Sequence, residues 1–374
     1  MLATSISQPA AQQLNSLLHN NLITAQPNAA LDKLNTLGFA ATADWLVTLA
    51  EPQAIPAVLE FAQTQQLPVF PLGGGSNVIL AQQLHALVLR QQALPLDWSQ
   101  AEATPGNFIQ LEVPAGYSWH QLVMQTTQRG YFGLENLALI PGQAGAAPIQ
   151  NIGAYGVELA DSLQAVTGYW LPSQGQPAKL DTLAAADCQF GYRTSRFKTT
   201  WKGRFIITAL HLQLARQAEP RLNYADLHQR IQAQLALPGN AKLPLAQLIA
   251  TTICELRRAK LPDPKLLGNA GSFFKNPVVS QALAQQLLQA YPQLPVYPAG
   301  NQQCKIAAGW LIENCGFKGY TQGSLGVYPQ QALVLTHSGG STATDLLAFA
   351  AQISAAVARK FQVQLEIEPE LVQV

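Results

Sequence analysis

Residues 134–159, LENLALIPGQAGAAPIQNIGAYGVEL, constrain what this chain can fold into more than any other stretch. Between Glu135 and Glu158 there is no charged residue and no histidine. By length alone the run would cross a membrane, for which about 20 apolar residues suffice. Pro141 and Pro148, four glycines (Gly142, Gly145, Gly153, Gly156) and the amides Asn136, Gln143, Gln150 and Asn151 rule out that reading and a regular helix with it. Glycine and proline at these intervals predict a folded loop whose backbone comes close to something. Exposed N–H groups in such a loop can bond phosphate oxygens or the polar edge of a planar ring without adding charge. A buried glycine-rich turn explains the same letters, so this stretch alone leaves both readings open.

A second glycine cluster lies upstream. The pattern predicts a strand over 45–49, an amphipathic helix over 52–66 with Ile55, Val58, Leu59 and Ala62 on one face, and a strand over 68–72. This βαβ unit ends in Gly73, Gly74, Gly75, Ser76 and Asn77. A glycine run at the end of a strand is where phosphate-binding turns sit. The run is not GxGxxG and no helix opens after it, so it does not fit a Rossmann site; a plain hairpin turn remains an alternative. Charged residues make up only 11% of the chain and the net charge is +1, so no electrostatic footprint for nucleic acid or an anionic membrane surface exists. Any anion is bound by local geometry.

A length of 374 residues exceeds what one core usually serves, and two or three domains are expected. Residues 1–30, rich in Ala, Gln and Asn, read as a loosely held, flexible extension. Strands are expected over 85–90 and 108–113, a helix over 119–128, a hairpin over 165–180 turned at 173–176, and a strand over 205–214. Helix 245–261 carries Leu248, Ile249, Thr252, Ile253 and Leu256 at helical spacing. The remainder reads as a smaller α/β domain with helices 280–288, 306–315 and 342–361, a strand over 332–336, and a last strand carrying Glu366, Glu368 and Glu370 on one face. Two of those three carboxylates are expected to be solvated. The expected division is an extension (1–30), two cofactor-binding subdomains (31–95 and 96–262) and a substrate domain (263–374). Cys188, Cys254, Cys304 and Cys315 lie far apart with no metal-ligand spacing, which predicts reduced thiols in a cytoplasmic protein and no metal site. The N-terminus lacks a basic and apolar leader pattern.

Two further stretches are too unusual to be scaffold alone. GNAGSFFKNP (268–277) sets Ser272 between glycine and two phenylalanines, with Lys275 and Asn276 nearby. It is no GxSxG elbow and has no histidine close by, which disfavours a serine hydrolase but leaves Ser272 able to pass a proton. FGYRTSRFK (190–198) alternates basic and aromatic residues. Arg193 there suits bidentate pairing with a carboxylate, or an ordinary ion pair at a strand edge.

Taken in order, 73–77, 134–159, 191–198, 260–265, 268–277 and 368–370 resemble the UDP-N-acetylenolpyruvoylglucosamine reductases over about residue 30 to the end, with PIQNIGAYG and NAGSFFKNP the most specific strings. The segment around Tyr224 is similar to the extra loop of the enterobacterial-type subclass. The resemblance implies an α+β fold: an FAD-binding two-subdomain part similar to the vanillyl-alcohol-oxidase (PCMH) type, plus a smaller α/β substrate-binding domain. It implies non-covalent FAD, NADPH as co-substrate, a UDP-sugar substrate, and a cytoplasmic monomer making peptidoglycan precursor. FAD would be held by Gly73, Gly74, Gly75, Ser76, Asn77, Pro141, Gly142, Gly145, Ala146, Ile152, Gly153, Tyr155 and Gly156. Arg193 matches the family's carboxylate-binding arginine, Glu370 its partner and Ser272 the proton donor. Tyr224, Arg257, Lys260, Lys275, Asn276 and Gln331 match positions that hold the UDP-sugar. Ala146 and Ala147 stand where many members carry serine or glycine, which removes up to two hydroxyl contacts worth about 1 kcal/mol each. Val372 stands where a basic residue would be less surprising and predicts a less firmly anchored last strand. A same-fold FAD dehydrogenase or oxidase acting on a sugar or hydroxy acid, and a non-catalytic nucleotide-sugar binding protein, are the competing readings.

Overall fold

Alternation in TADWLVTL buries Ala43, Trp45, Val47 and Leu49 on one face of strand Thr42–Leu49, and this apolar face organises the start of the chain. The structure, a computed structural model, describes residues 8–374 except 104, 174, 218–219, 224–226 and 241. It divides into two units. The first takes Met1–Ala29, Ala43–Gly74 and His85–Arg257; the second takes Ala30–Thr42, Gly75–Leu84 and Arg258–Val374. Residues 30–42 and 75–84 thus join the C-terminal unit, where the linear division expected from sequence had placed residue 30 in the extension and the others in the first cofactor-binding subdomain. The reason is pairing over long sequence distance. Strand Val78–Leu80 lies parallel to Glu370–Val372, and Leu37, Phe39 and Ile79 are buried in the core of the second unit.

In the first unit, a four-stranded sheet runs in the order Ile23–Ala30, Thr42–Leu49, Gln83–Gln91, Val69–Pro71. Helix Ile55–Thr64 covers it with Ile55, Val58, Leu59, Phe61 and Ala62. Helix Gln8–His19 adds Leu14, and strand Ile23–Ala30 adds Ile23, to the same core. The extension expected to be loose is therefore packed from Leu14 onward; its polar composition concealed a short apolar stripe. A second, antiparallel sheet of the unit has the order Lys179–Ala184, Leu163–Trp170, Phe205–Ala215, Phe108–Pro114. Helix Trp119–Gln128, capped by Ser118, supplies Trp119, Leu122 and Val123 to its core. Ile249, Ala250 and Ile253 of helix Leu245–Lys260 join them. The hairpin bridge at Ser173 and Gln176 falls where expected.

The second unit holds a sheet in the order Gly268–Ser272, Val334–His337, Leu325–Val327, Thr321–Gln322. A smaller sheet has Gln303–Ile306 between Val278–Ser280 and Val296–Pro298. Helix Ala343–Phe361 begins in a capping box of Thr342 and Asp345 and buries Leu346, Phe349, Ala350, Ile353, Val357 and Phe361 at helical spacing. The expected helix 306–315 is Ala308–Asn314, because Gln303–Ile306 is drawn into the small sheet first. The last strand is only Glu370–Val372. Before it, Glu366 is exposed and ion-paired with Lys275, whereas Glu368 is buried at 8% exposure, contrary to a solvated face. Val372 is 3% exposed and its carbonyl accepts from Ala81 N–H at 3.0 Å, so an apolar residue anchors the strand where a weaker hold was expected.

Candidate active site

Within the first unit the two glycine stretches pack backbone against backbone. A Cβ on Gly74 would lie 2.7 Å from Gly142 Cα, and one on Gly73 would lie 3.3 Å from the Ala146 Cβ. The N–H groups of Gly73, Gly74 and Gly142 donate to no acceptor among the described residues. Buried or half-buried backbone donors rarely stay unspent, so three of them in adjoining loops suit an anionic, oxygen-rich group such as a pyrophosphate. Gly145 is different: its missing side chain accommodates Ala115, whose Cβ would be 2.6 Å away, and its N–H donates to Ala115 O at 2.9 Å. Packing against Ala115 by itself requires a glycine here, and its N–H is not one of the free donors. Gly75, Ser76 and Asn77 fall in the second unit, where Glu370 N–H donates to Asn77 O at 2.9 Å.

The loop that carries Ile152, Gly153, Tyr155 and Gly156 is fixed by polar side chains it contains. Asn136 is fully buried and its amide donates to Tyr155 O and Arg221 O, both at 2.8 Å. Leu139, Asn151 and Tyr155 all have positive φ, as does Arg193 in the neighbouring turn. Non-glycine residues in this region carry strain that surrounding bonds must hold, and such strain concentrates at functional sites. Arg193 Nη2 donates to Gly153 O at 2.8 Å. Burial pushes the Arg257 guanidinium below its ordinary pKa; the titratable groups in electrostatic range are Tyr155, Cys254 and Arg193, none of them a carboxylate. Its Nε is buried with no acceptor. Arg257 and Arg193 lie in electrostatic range of each other; the Glu158 side chain comes close to Arg193 at Gly153, whereas Arg257 has no carboxylate among the groups that shift it, so an anion suits the Arg257 side of this corner.

In the second unit, a β-bulge between Asn269 and Ser272 carries Gly271 at φ +69° and leaves Ser272 half-buried opposite Val334. Bulges re-aim a side chain. Ser272 Oγ has no hydrogen-bond partner among the described residues. Phe273 and Phe274 both sit in the core, in an edge-to-face pair at 5.3 Å, so the phenylalanines anchor the strand rather than wall off the serine. Lys275 is held by Glu366. Asn276 Oδ1 accepts from Ala308 N–H at 3.0 Å, and Gln331 Oε1 lies 3.1 Å from where a Gly309 Cβ would be; both therefore meet the start of the same helix. Lys260 is exposed. Pro141 is exposed on the first unit. Tyr224 lies outside the described residues. Among the described residues no cluster of three or more metal-ligating side chains occurs, and no helix is long and apolar enough to cross a membrane.

Comparison with known proteins decides what these loops belong to. Residues 43–169 match an FAD binding domain and residues 263–372 match the UDP-N-acetylenolpyruvoylglucosamine reductase C-terminal domain. A UDP-N-acetylenolpyruvoylglucosamine reductase of Chromobacterium violaceum is 43% identical over 335 residues, covering 90% of this chain and 95% of its own. The chain belongs to the UDP-N-acetylenolpyruvoylglucosamine reductase family. Reductases of Bordetella pertussis and Pseudomonas fluorescens are 45% and 40% identical, over 90% and 92% of this chain and 92% and 98% of theirs. The crystal structure of the Thermus caldophilus reductase shares the fold at TM-score 0.59 and 21% identity, covering 93% of this chain and 98% of that one.

FAD is the cofactor of this reductase family member, and the FAD-binding match spans both glycine loops. What the sequence did not disclose is the scaffold behind them. Glu135 is 5% exposed, accepts from Gly133 N–H at 2.6 Å, and is raised in pKa chiefly by burial. Ser195 is buried and donates to Ile149 O at 2.7 Å. The only available signal was the presence of amides inside an otherwise charge-free run; nothing local says which carbonyls they reach.

Proposed function

We propose that this reductase converts UDP-N-acetylglucosamine enolpyruvate to UDP-N-acetylmuramate with NADPH, a step of peptidoglycan precursor synthesis. The observation that carries the reading is Arg257: a buried guanidinium in electrostatic range of Arg193, with an Nε that finds no acceptor and no carboxylate among the groups that shift it. An enolpyruvyl ether presents a carboxylate that suits it. FAD, when bound, would supply the chemistry of hydride transfer between NADPH and the substrate's vinyl terminus. The chain's own residues do the rest. Hydride arrival at the terminal carbon pushes an electron pair toward C2 and the carboxylate, which becomes enolate-like. Arg193 is assigned to the carboxylate, where it favours that charge more in the transition state than in the ground state, and Glu370 is assigned a role at the same group. Ser272 then donates its proton to C2, and the alcohol is restored from solvent. The bulge that holds Ser272 half-exposed supports this role, since a donor already bonded would have a competing acceptor.

Gly73, Gly74, Gly75, Ser76, Asn77 and Gly142 are the proposed cradle for the FAD pyrophosphate, with Pro141, Ala146, Ile152, Gly153, Tyr155 and Gly156 around the ring. Tyr224, Arg257, Lys260, Lys275, Asn276 and Gln331 are proposed to hold the UDP-sugar. The same reading makes the protein a cytoplasmic monomer with no nucleic-acid partner. An FAD dehydrogenase of a hydroxyl substrate would need a general base, and Ser272 is not one. The test is anaerobic: NADPH should bleach the yellow protein, and the enolpyruvyl substrate should restore its colour with formation of UDP-N-acetylmuramate. Bleaching without recovery would reject the substrate; no bleaching by NADPH would reject the donor.

A further inference from the structure

Arg193 stands in a tight turn whose geometry depends on a residue outside it. Gly191 and Thr194 exchange both backbone hydrogen bonds, at 3.1 and 3.2 Å, so Tyr192 and Arg193 are the central pair. Arg193 has φ +54°, a conformation that an arginine leaves readily unless its surroundings hold it. Three bonds tie this turn to the 149–153 loop, one on each side of Arg193 and one at it. Asn151 Nδ2 donates to Gly191 O at 3.2 Å, Arg193 Nη2 donates to Gly153 O at 2.8 Å, and Ser195 Oγ donates to Ile149 O at 2.7 Å.

Asn151 is the member of this set with most to lose. It is completely buried. Besides Gly191 O its amide donates to Glu158 Oε2 at 2.7 Å, and its Oδ1 accepts from Ala160 N–H at 3.0 Å. Both donors and the acceptor are therefore spent, a set that aspartate or leucine of the same size cannot supply. Glu158 is fixed in turn by a capping box with Asp161, so the amide is clamped on the side away from the turn. A Cβ on Gly153 would lie 3.1 Å from Arg193 Nη1, which shows how closely the guanidinium rests on this loop.

We infer that Asn151 is a positioning residue for the reductase reaction: clamped by Glu158, it holds the Gly191 carbonyl and thereby sets the angle at which Arg193 presents its guanidinium to the substrate carboxylate. The inference rests on the reading of Arg193 given above. A bond to a turn carbonyl acts on catalysis through geometry, and misplacement of a binding group by about 1 Å can lower a rate on the order of 10²-fold.

The exchange variant Asn151→Asp/Glu158→Gln separates this role from a merely structural one. It swaps the amide and the carboxylate between the two positions. The glutamine amide donates to the new aspartate, while its carbonyl oxygen still accepts from Asp161 N–H. The aspartate in turn still accepts from Ala160 N–H, so the loop's internal bonds are restored. The Gly191 carbonyl alone loses a bond, the one from position 151, while the Thr194 N–H still donates to it. Stopped-flow of the FAD-loaded variant should show NADPH reduction at the parent rate and FAD affinity within about 2-fold of the parent. Reoxidation by the enolpyruvyl substrate should slow by about 10- to 100-fold, with KM for that substrate raised. Arg193→Lys is measured alongside. If Arg193→Lys is slowed and the exchange variant reacts at the parent rate, the positioning role is wrong. If neither is slowed, the reading of Arg193 itself falls. An exchange variant that fails to fold, or that loses FAD, also overturns the inference, because Asn151 would then be serving the loop or the cofactor.

Discussion

Gly74→Ala is the sharpest probe of the cofactor loops. The added Cβ would sit 2.7 Å from Gly142 Cα, with Gly142 C and N at 3.4 and 3.5 Å. All three atoms are backbone, so no rotamer change can relieve the contact, and the loops must part by roughly 0.7 Å to reach an ordinary 3.4 Å separation. Overpacking of this kind typically costs about 1–3 kcal/mol. If that strain falls on the cofactor-competent arrangement, the dissociation constant for FAD should rise about 5- to 150-fold. Gly73→Ala provides the internal scale, because its Cβ would meet the Ala146 side chain at 3.3 Å, a contact that a small shift relieves. The assay is quenching of FAD fluorescence on titration with FAD-free protein, with thermal melting of the same samples to follow stability. The expected order of affinity is parent, then Gly73→Ala, then Gly74→Ala. Parent-like FAD affinity in Gly74→Ala would show that the close approach of the two loops is irrelevant to the cofactor.

Ser272→Ala should leave flavin bleaching by NADPH at the parent rate and slow its recovery with the enolpyruvyl substrate by about 10²–10⁴-fold; recovery at the parent rate would reduce Ser272 to packing. Burial raises the folded-state pKa of Glu135 above its ordinary 4.5, so the folded protein binds the proton more tightly than the unfolded chain and this residue's contribution falls as pH rises between the two values. Urea melts at fixed FAD saturation should therefore show the parent losing stability relative to Glu135→Gln as pH rises through that window; parallel stability curves would contradict it. The Cys188 thiol, pushed up to about 12 chiefly by burial, should resist maleimide at neutral pH in the native protein and react only on unfolding. Rapid labelling of native Cys188 would show that its surroundings open.

Much of the fold was legible where periodicity and burial coincide. Helix Trp119–Gln128 and helix Ala343–Phe361 declare themselves through spaced apolar residues and their caps, Ser118 and Thr342. The glycine loops were legible as loops because no regular element tolerates their composition, and their uncharged donors followed from that. What stayed hidden depends on partners far along the chain. Gly145 packs on Ala115, 30 residues away in the chain, a constraint that no local pattern announces. Glu368 read as solvated because alternation reports only which face a residue shares, and its N–H is bonded to Phe273 O. Helix Gln8–His19 was missed because its buried leucines are too few to outweigh glutamine and alanine. Residue types pointed to the chemistry proposed for Arg193 and for Ser272, while the bulge at Gly271 and the amide bond to the Arg193 turn had no local signature.

The second unit is stitched from three separated lengths of chain, and this sets the order in which the protein can be made. On the ribosome, Leu37, Phe39 and Ile79 emerge long before the helix Ala343–Phe361 against whose core they are destined to pack. Strand Val78–Leu80 waits longer still, since its partner Glu370–Val372 is nearly the last part synthesised. Until release, an apolar strand and two buried side chains have no permanent cover, and such intermediates invite aggregation or chaperone capture. A fragment starting near residue 258 would lack those pieces altogether. Expressed alone it should be unstable, whereas co-expression with residues 1–257 should rescue it by non-covalent complementation.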